Sequence, residues 1–182
     1  MCDVVIVETV GVGQSETDIT HIADTIVLVV QPFSGDVLQF IKAGVMEIPD
    51  VLAVNKADDE ALAHKAMADV KAALSLERQS WSRPVLAVSA ATNLHLDDLD
   101  AAIRAHHHHL LSSETLAHKR TEQTLAWATS EVLHEVGQRG LLALGGATGV
   151  KHLWEQQPTQ WSELHRLDAL LSTVHWRQAR TE

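Results

Sequence analysis

Apolar positions along this chain follow two rhythms. Residues 4–7, 26–30, 51–54 and 84–88 are short, nearly continuous runs of Val, Ile, Leu and Ala, each ending where polar or Gly-rich sequence begins. Runs of that kind separated by helical stretches predict strands buried on both faces, hence a parallel sheet in an α/β unit. The second rhythm is helical. Residues 36–47 carry Val37, Leu38, Ile41 and Val45 at helical spacing, with Pro49 as a stop. Residues 59–76 are rich in Ala, a strong helix former, and residues 96–109 close the last βα unit. Beyond that the rhythm stays helical. Residues 114–137 form a long amphipathic pattern with Leu116, Leu125, Ala128, Val132 and Val136. Gly137, Gly140, Gly145, Gly146 and Gly149 interrupt it, with a weak strand signal near residues 141–144. A last helical stretch, 160–180, brings Trp161, Leu164, Leu167, Leu171, Val174 and Trp176. The expected organisation is an α/β domain over residues 1–110 and a helical carboxyl-terminal extension over 111–182.

In open α/β sheets, ligands bind beyond the carboxyl ends of the strands. The first run delivers Glu8-Thr9-Val10-Gly11-Val12-Gly13-Gln14-Ser15-Glu16 to that rim, and the second Gln31-Pro32-Phe33-Ser34-Gly35-Asp36. The third delivers Asn55-Lys56-Ala57-Asp58, and the fourth Ser89-Ala90. Asn-Lys-x-Asp at a strand end is an arrangement suited to reading guanine. A carboxylate accepts two hydrogen bonds from the guanine N1–H and 2-amino group, a donor pair that adenine lacks. The Asn amide bonds the purine edge or ties neighbouring loops together, and the Lys stem lies across the base. Each charge-assisted bond contributes about 1.5–3 kcal/mol, enough to select one purine. The same four letters also occur in exposed turns, so the weight falls on the neighbouring strand ends.

Taken in order, the Glu8–Glu16 string, Gly35-Asp36-Val37-Leu38-Gln39-Phe40-Ile41-Lys42-Ala43-Gly44 and Asn55-Lys56-Ala57-Asp58 closely resemble the MeaB/ArgK family of GTPases. The resemblance covers roughly residues 1–105. It implies a P-loop NTPase-like parallel sheet and GTP or GDP with Mg2+ as ligands. It also implies a metallochaperone role toward adenosylcobalamin-dependent methylmalonyl-CoA mutase or a related mutase. By resemblance, Glu8 holds the magnesium shell through water, where the plain alternative is a strand-end carboxylate. Gly11 senses the γ-phosphate through its amide, which a side chain would block. Gln14 is a candidate to orient the attacking water. Asp36, Gln39 and Lys42 fall in a further switch and share roughly one helix face. Ser89 and Ala90 resemble the last guanine-contacting loop, whose backbone amide meets the base O6. The family usually continues there with a Gly-containing turn, whereas Thr92-Asn93-Leu94-His95 follows here; Asn tolerates left-handed geometry.

A phosphate-holding Gly-x-x-x-x-Gly-Lys-Ser/Thr is absent from the 182 residues. The sequence therefore reads as the carboxyl-terminal half or two-thirds of such a GTPase, guanine-reading but lacking the phosphate loop and its strand, and inactive alone. The alternatives are a metallochaperone GTPase for another enzyme, such as a nickel or cobalamin enzyme, and a non-hydrolysing fragment or paralogue that acts only as an interaction module.

Composition narrows the setting. Formal net charge is −10, which disfavours a sequence-independent nucleic-acid surface. Hydrophobic content of 46% suffices for a core, yet no apolar stretch approaches the ~20 residues of a membrane span. A single cysteine, Cys2, excludes an internal disulfide and suits a reducing, cytoplasmic compartment. His106-His107-His108-His109 cannot converge on one metal, because successive helical residues point about 100° apart. An adventitious surface metal site is the most such a run offers. Trp127, Trp154, Trp161 and Trp176 lie in the second part, and helices with such faces must bury them. Core packing is one solution. A dimerisation arm, as the resemblance implies, is the other, and predicts a homodimer.

Overall fold

The computed structural model describes residues 3–9, 19–32, 45–74 and 81–178, in two compact units, Met1–Leu116 and Ala117–Glu182. The first unit is built on a parallel sheet of β1 (Val27–Val30), β2 (Val51–Val54) and β3 (Val85–Ala87), in the order β1-β2-β3. Val27 pairs with Val51 and Val30 with Val54, while Leu52 pairs with Val85 and Val54 with Ala87. Strand β2 is central, and all four of its residues are fully buried. That explains its uninterrupted apolar sequence: neither face meets water.

Helix α1 (Glu60–Leu74) follows β2 and buries Ala63, Ala66 and Val70, a spacing of three and four that makes one apolar face. Ala66 and Val70 join Val30, Met46, Leu52 and Val54 in the core, with Leu28, Met67 and Val85 against them. Asp59 starts the helix, its Oδ1 accepting from the Leu62 amide at 3.2 Å, and such a cap contributes about 1 kcal/mol. Helix α2 (Leu96–Ser112) follows β3, contacts β2, and buries His106 and Leu110.

Residues 4–7 differ from expectation. They form no strand and are exposed, Ile6 to 90%. A strand needs a ladder partner as well as β-branched residues, and no described strand pairs with this run. Most of the helix expected over 36–47 lies outside the described residues, as does Cys2; residues Val45–Glu47 form a 3₁₀ turn before the buried Pro49.

The second unit is helical, comprising nearly all of α3 (Thr115–Ala143), then α4 (Gly146–Glu155) and α5 (Glu163–Gln178). The strand signal at 141–144 is corrected: this stretch ends α3. Leu141 and Leu144, three apart, are buried while Leu142 is exposed, which is helical spacing. Gly137 breaks the regular geometry of α3 at φ 66° and ψ −178°. Gly145 and Gly146 turn the chain at φ 95° and 68°. The unit also has its own core of Ala128, Val132, Leu141, Leu144, Val150, Trp154, Leu167, Leu170 and Val174. Arg166 lies over the Trp154 ring at 4.2 Å and donates to its carbonyl. Much of the apolar surface assigned by sequence to self-association is thus satisfied internally. Leu133, Leu142, Trp161 and Leu164 remain exposed.

Candidate functional site

The carboxyl ends of β2 and β3 lie side by side, which brings residues 55–58 and 89–94 together. The backbone sets their spacing. The Asn55 amide donates to the Val30 carbonyl at 2.9 Å, Val88 to Val54 at 2.8 Å, and Ala57 to Val88 at 3.0 Å. Each loop therefore continues the ladder for one more step before turning. Lys56 then adopts φ 62°, a left-handed conformation that costs a non-Gly residue roughly 1–2 kcal/mol. The second loop is closed by reciprocal bonds between the Ser89 and Leu94 backbones at 3.0 Å, and Asn93 and His95 also take left-handed geometry. Asn93 thus takes the left-handed geometry for which the sequence suits it. His95 Nδ1 lies 2.8 Å from Asp98 Oδ2 at the start of α2.

Two side-chain bonds join the loops. The Ser89 hydroxyl, completely buried, donates to Asp58 Oδ1 at 2.7 Å. The Ala90 amide donates to Asn55 Oδ1 at 3.2 Å. The Thr92 amide approaches Ser89 Oγ at 3.4 Å. Ser89's hydrogen bond holds the Asp58 carboxyl below the usual carboxylate range, aided by a bond from Asp58's own backbone and by the Lys56 charge, with burial opposing. Asp58 is nonetheless exposed, and Ser89 engages only one of its oxygens. A carboxylate offers about four acceptor positions, so a pair of N–H donors can still approach. Asn55 ties the loops through its oxygen, while its NH2 end can donate to a purine acceptor.

The structure thus unites Asn55, Lys56, Asp58, Ser89 and Ala90. Glu8 lies apart in the exposed, irregular segment 3–9, joined to that cluster by none of these bonds. Gly11, Gln14, Asp36, Gln39 and Lys42 lie outside the described residues. Among the described residues no group of three or more His, Cys, Asp or Glu is placed to hold a metal. Mg2+ in nucleotide sites takes only one or two protein carboxylates, with phosphates and water completing its shell. The sequence did not reveal the Ser89 hydroxyl as Asp58's anchor or Thr92 and Leu94 as loop closers. A small polar residue directly after the apolar run at 84–88 was the available signal. The histidine run is divided by its helix: His106 is buried, and only His107 and His108 of the four are exposed.

Comparison with known proteins bears on the family. The family described as Methylmalonyl Co-A mutase-associated GTPase MeaB matches residues 2–143. A putative GTPase of Pyrococcus horikoshii is 44% identical over 124 residues, covering 65% of this chain and 39% of the relative. The GTPase ArgK of Escherichia coli is 36% identical over 139 residues, covering 74% of this chain and 42% of the relative. The mitochondrial methylmalonic aciduria type A homolog of Mus musculus is 35% identical over 130 residues, 69% of this chain and 31% of the relative. A crystal structure of a LAO/AO transport system kinase superposes with a TM-score of 0.66 at 26% identity, over 93% of this chain and 57% of the other. The chain spans about two-fifths of the length of the first two of these relatives. With the family match running over residues 2–143, this chain belongs to the MeaB family of GTPases.

Proposed function

We propose that this chain is the guanine-reading part of a GTPase that gates adenosylcobalamin loading, and protection, of methylmalonyl-CoA mutase or a related mutase. The observation that carries the reading is the pair of cross-loop bonds, Ser89 to Asp58 and Ala90 to Asn55. Together they fix the Asp58 carboxylate, complementary to the N1–H and 2-amino donor pair of guanine, and hold the Asn55 side chain beside it. In this reading Lys56 covers the base and Glu8 orders the water shell of Mg2+. Gly11 and Gln14 face the γ-phosphate and the attacking water, and Asp36, Gln39 and Lys42 pass the nucleotide state to the mutase. The protein works in the cytoplasm as a homodimer. With no Gly-x-x-x-x-Gly-Lys-Ser/Thr in its 182 residues, the chain alone binds nucleotide weakly and turns over no GTP.

Ligand-observed NMR at millimolar nucleotide, suited to weak binding, tests the base reading. The wild-type chain should bind GDP over ADP, and Asp58→Asn should lose GDP and gain xanthosine diphosphate, whose 2-oxo group accepts from the new amide. An unchanged GDP preference in Asp58→Asn would show that Asp58 does not read the base. The missing phosphate-holding motif also favours a second reading, a non-hydrolysing interaction module. Tight GDP binding with GTP turnover by the chain alone would exclude that one.

A further inference from the structure

At the amino edge of the sheet, opposite the base-reading loops, the leads into all three strands meet one face of α2. His106 projects from α2 and is 3% exposed. Its Nδ1 lies 2.9 Å from Thr25 Oγ1, two residues before β1, and its Nε2 lies 3.3 Å from Asp50 Oδ1, the residue before β2. Asp50 Oδ2 accepts from the Ile26 amide at 2.9 Å. Trp81, ahead of β3, donates its indole N–H to the Asp50 carbonyl at 2.9 Å, and its ring lies 5.1 Å from both His106 and His109.

We propose that His106 is a proton-sensitive latch, held as an imidazolium that fastens α2 to the amino edge of the sheet by bridging Thr25 and Asp50. The partners accommodate a doubly protonated ring. A carboxylate can only accept and a Thr hydroxyl can accept, so both ring nitrogens of a cation find an acceptor. The indole N–H is engaged elsewhere, and its ring face attracts a cation. Asp50 sets a carboxylate oxygen against Nε2 and keeps a fifth of its side chain in water. Opposing this are the burial of His106 and the neighbouring His109 ring, 6.4 Å away on the same helix. Arg83, two residues past Trp81, donates to the Met46 carbonyl at 2.6 Å. Folding thus takes up a proton at His106. The latch contributes fully in mild acid and is lost as pH rises and the ring gives that proton up.

Two measurements on the complete chain test this. Nitrogen-detected NMR of the imidazoles at pH 7 should show both His106 nitrogens protonated; a neutral His106 of single tautomer would overturn the proposal. Asp50→Asn keeps an acceptor but removes the charge. Its melting temperature should fall by roughly 5 °C at pH 6 and by far less at pH 8.5. An equal loss at both pH values would leave Asp50 as a neutral hydrogen-bond acceptor and sink the latch. If the variant does not fold, the wild-type spectrum decides alone.

Discussion

Asp58 is useful as a base reader only while ionised and correctly aimed, and one buried hydroxyl serves both ends. Ser89 is the leading cause of the lowered Asp58 carboxyl pKa. The sign follows: whatever depends on the ionised Asp58 is present above the ordinary carboxylate value and persists below it, failing only as pH falls through the depressed one. Ser89→Ala removes that support. We expect its affinity for GDP to fall several-fold at neutral pH, and its loss of binding in acid to begin at higher pH than in wild type. Nucleotide titrations across pH 3–6 check both; coincident acid limbs would separate Ser89 from Asp58. Asn55, Lys56 and Asp58 were legible because their spacing is local. The Ser89 hydroxyl was not, because its partner lies 31 residues away and the pairing depends on the register of β2 against β3.

Among the elements, the junction of α3 and α4 is closely packed at Gly149. A Cβ on Gly149 would sit 1.8 Å from the Leu144 carbonyl oxygen, a backbone atom that cannot swing aside. At Gly137, by contrast, a Cβ meets nothing within 4 Å and only the positive φ resists substitution. Gly149→Ala should therefore cost about 3 kcal/mol and Gly137→Ala about 1 kcal/mol, compared by chemical denaturation of the second unit's transition. Equal costs would mean the junction relaxes freely. The glycines announced a turn here, but residues 141–144 were too short and too apolar for periodicity to separate strand from helix. Residues 4–7 failed differently. Their composition is that of a strand, and a sequence carries no direct record of whether a ladder partner is present. Strands β1, β2 and β3 and helices α1 and α2 were legible because Val-rich runs and Ala-rich amphipathic stretches alternate cleanly.

For the molecule as a whole, the internal core of the second unit reduces the surface left for self-association without removing it. Leu164 is 71% and Leu142 63% exposed, and burying a Leu contributes about 1.5–3 kcal/mol. The homodimer should register in light scattering at tens of micromolar and dissociate in a Leu142→Glu, Leu164→Glu double variant. A monomeric wild-type chain would remove the dimer from the proposed function. A different cohesion resides in β1. It is one of the two outer strands of the sheet among the described residues, its sequence Val-Leu-Val-Val carries neither the charge nor the Pro with which edges are commonly blunted, and Val29 is 54% exposed. What keeps such edges apart in solution is the shared net charge of −10. That repulsion is screened over about 8 Å at physiological salt and vanishes near the isoelectric point of about 5.6. Colloidal behaviour therefore follows the buffer: alkaline, low-salt solutions favour dispersion, and mild acid or high salt weakens the repulsion between chains.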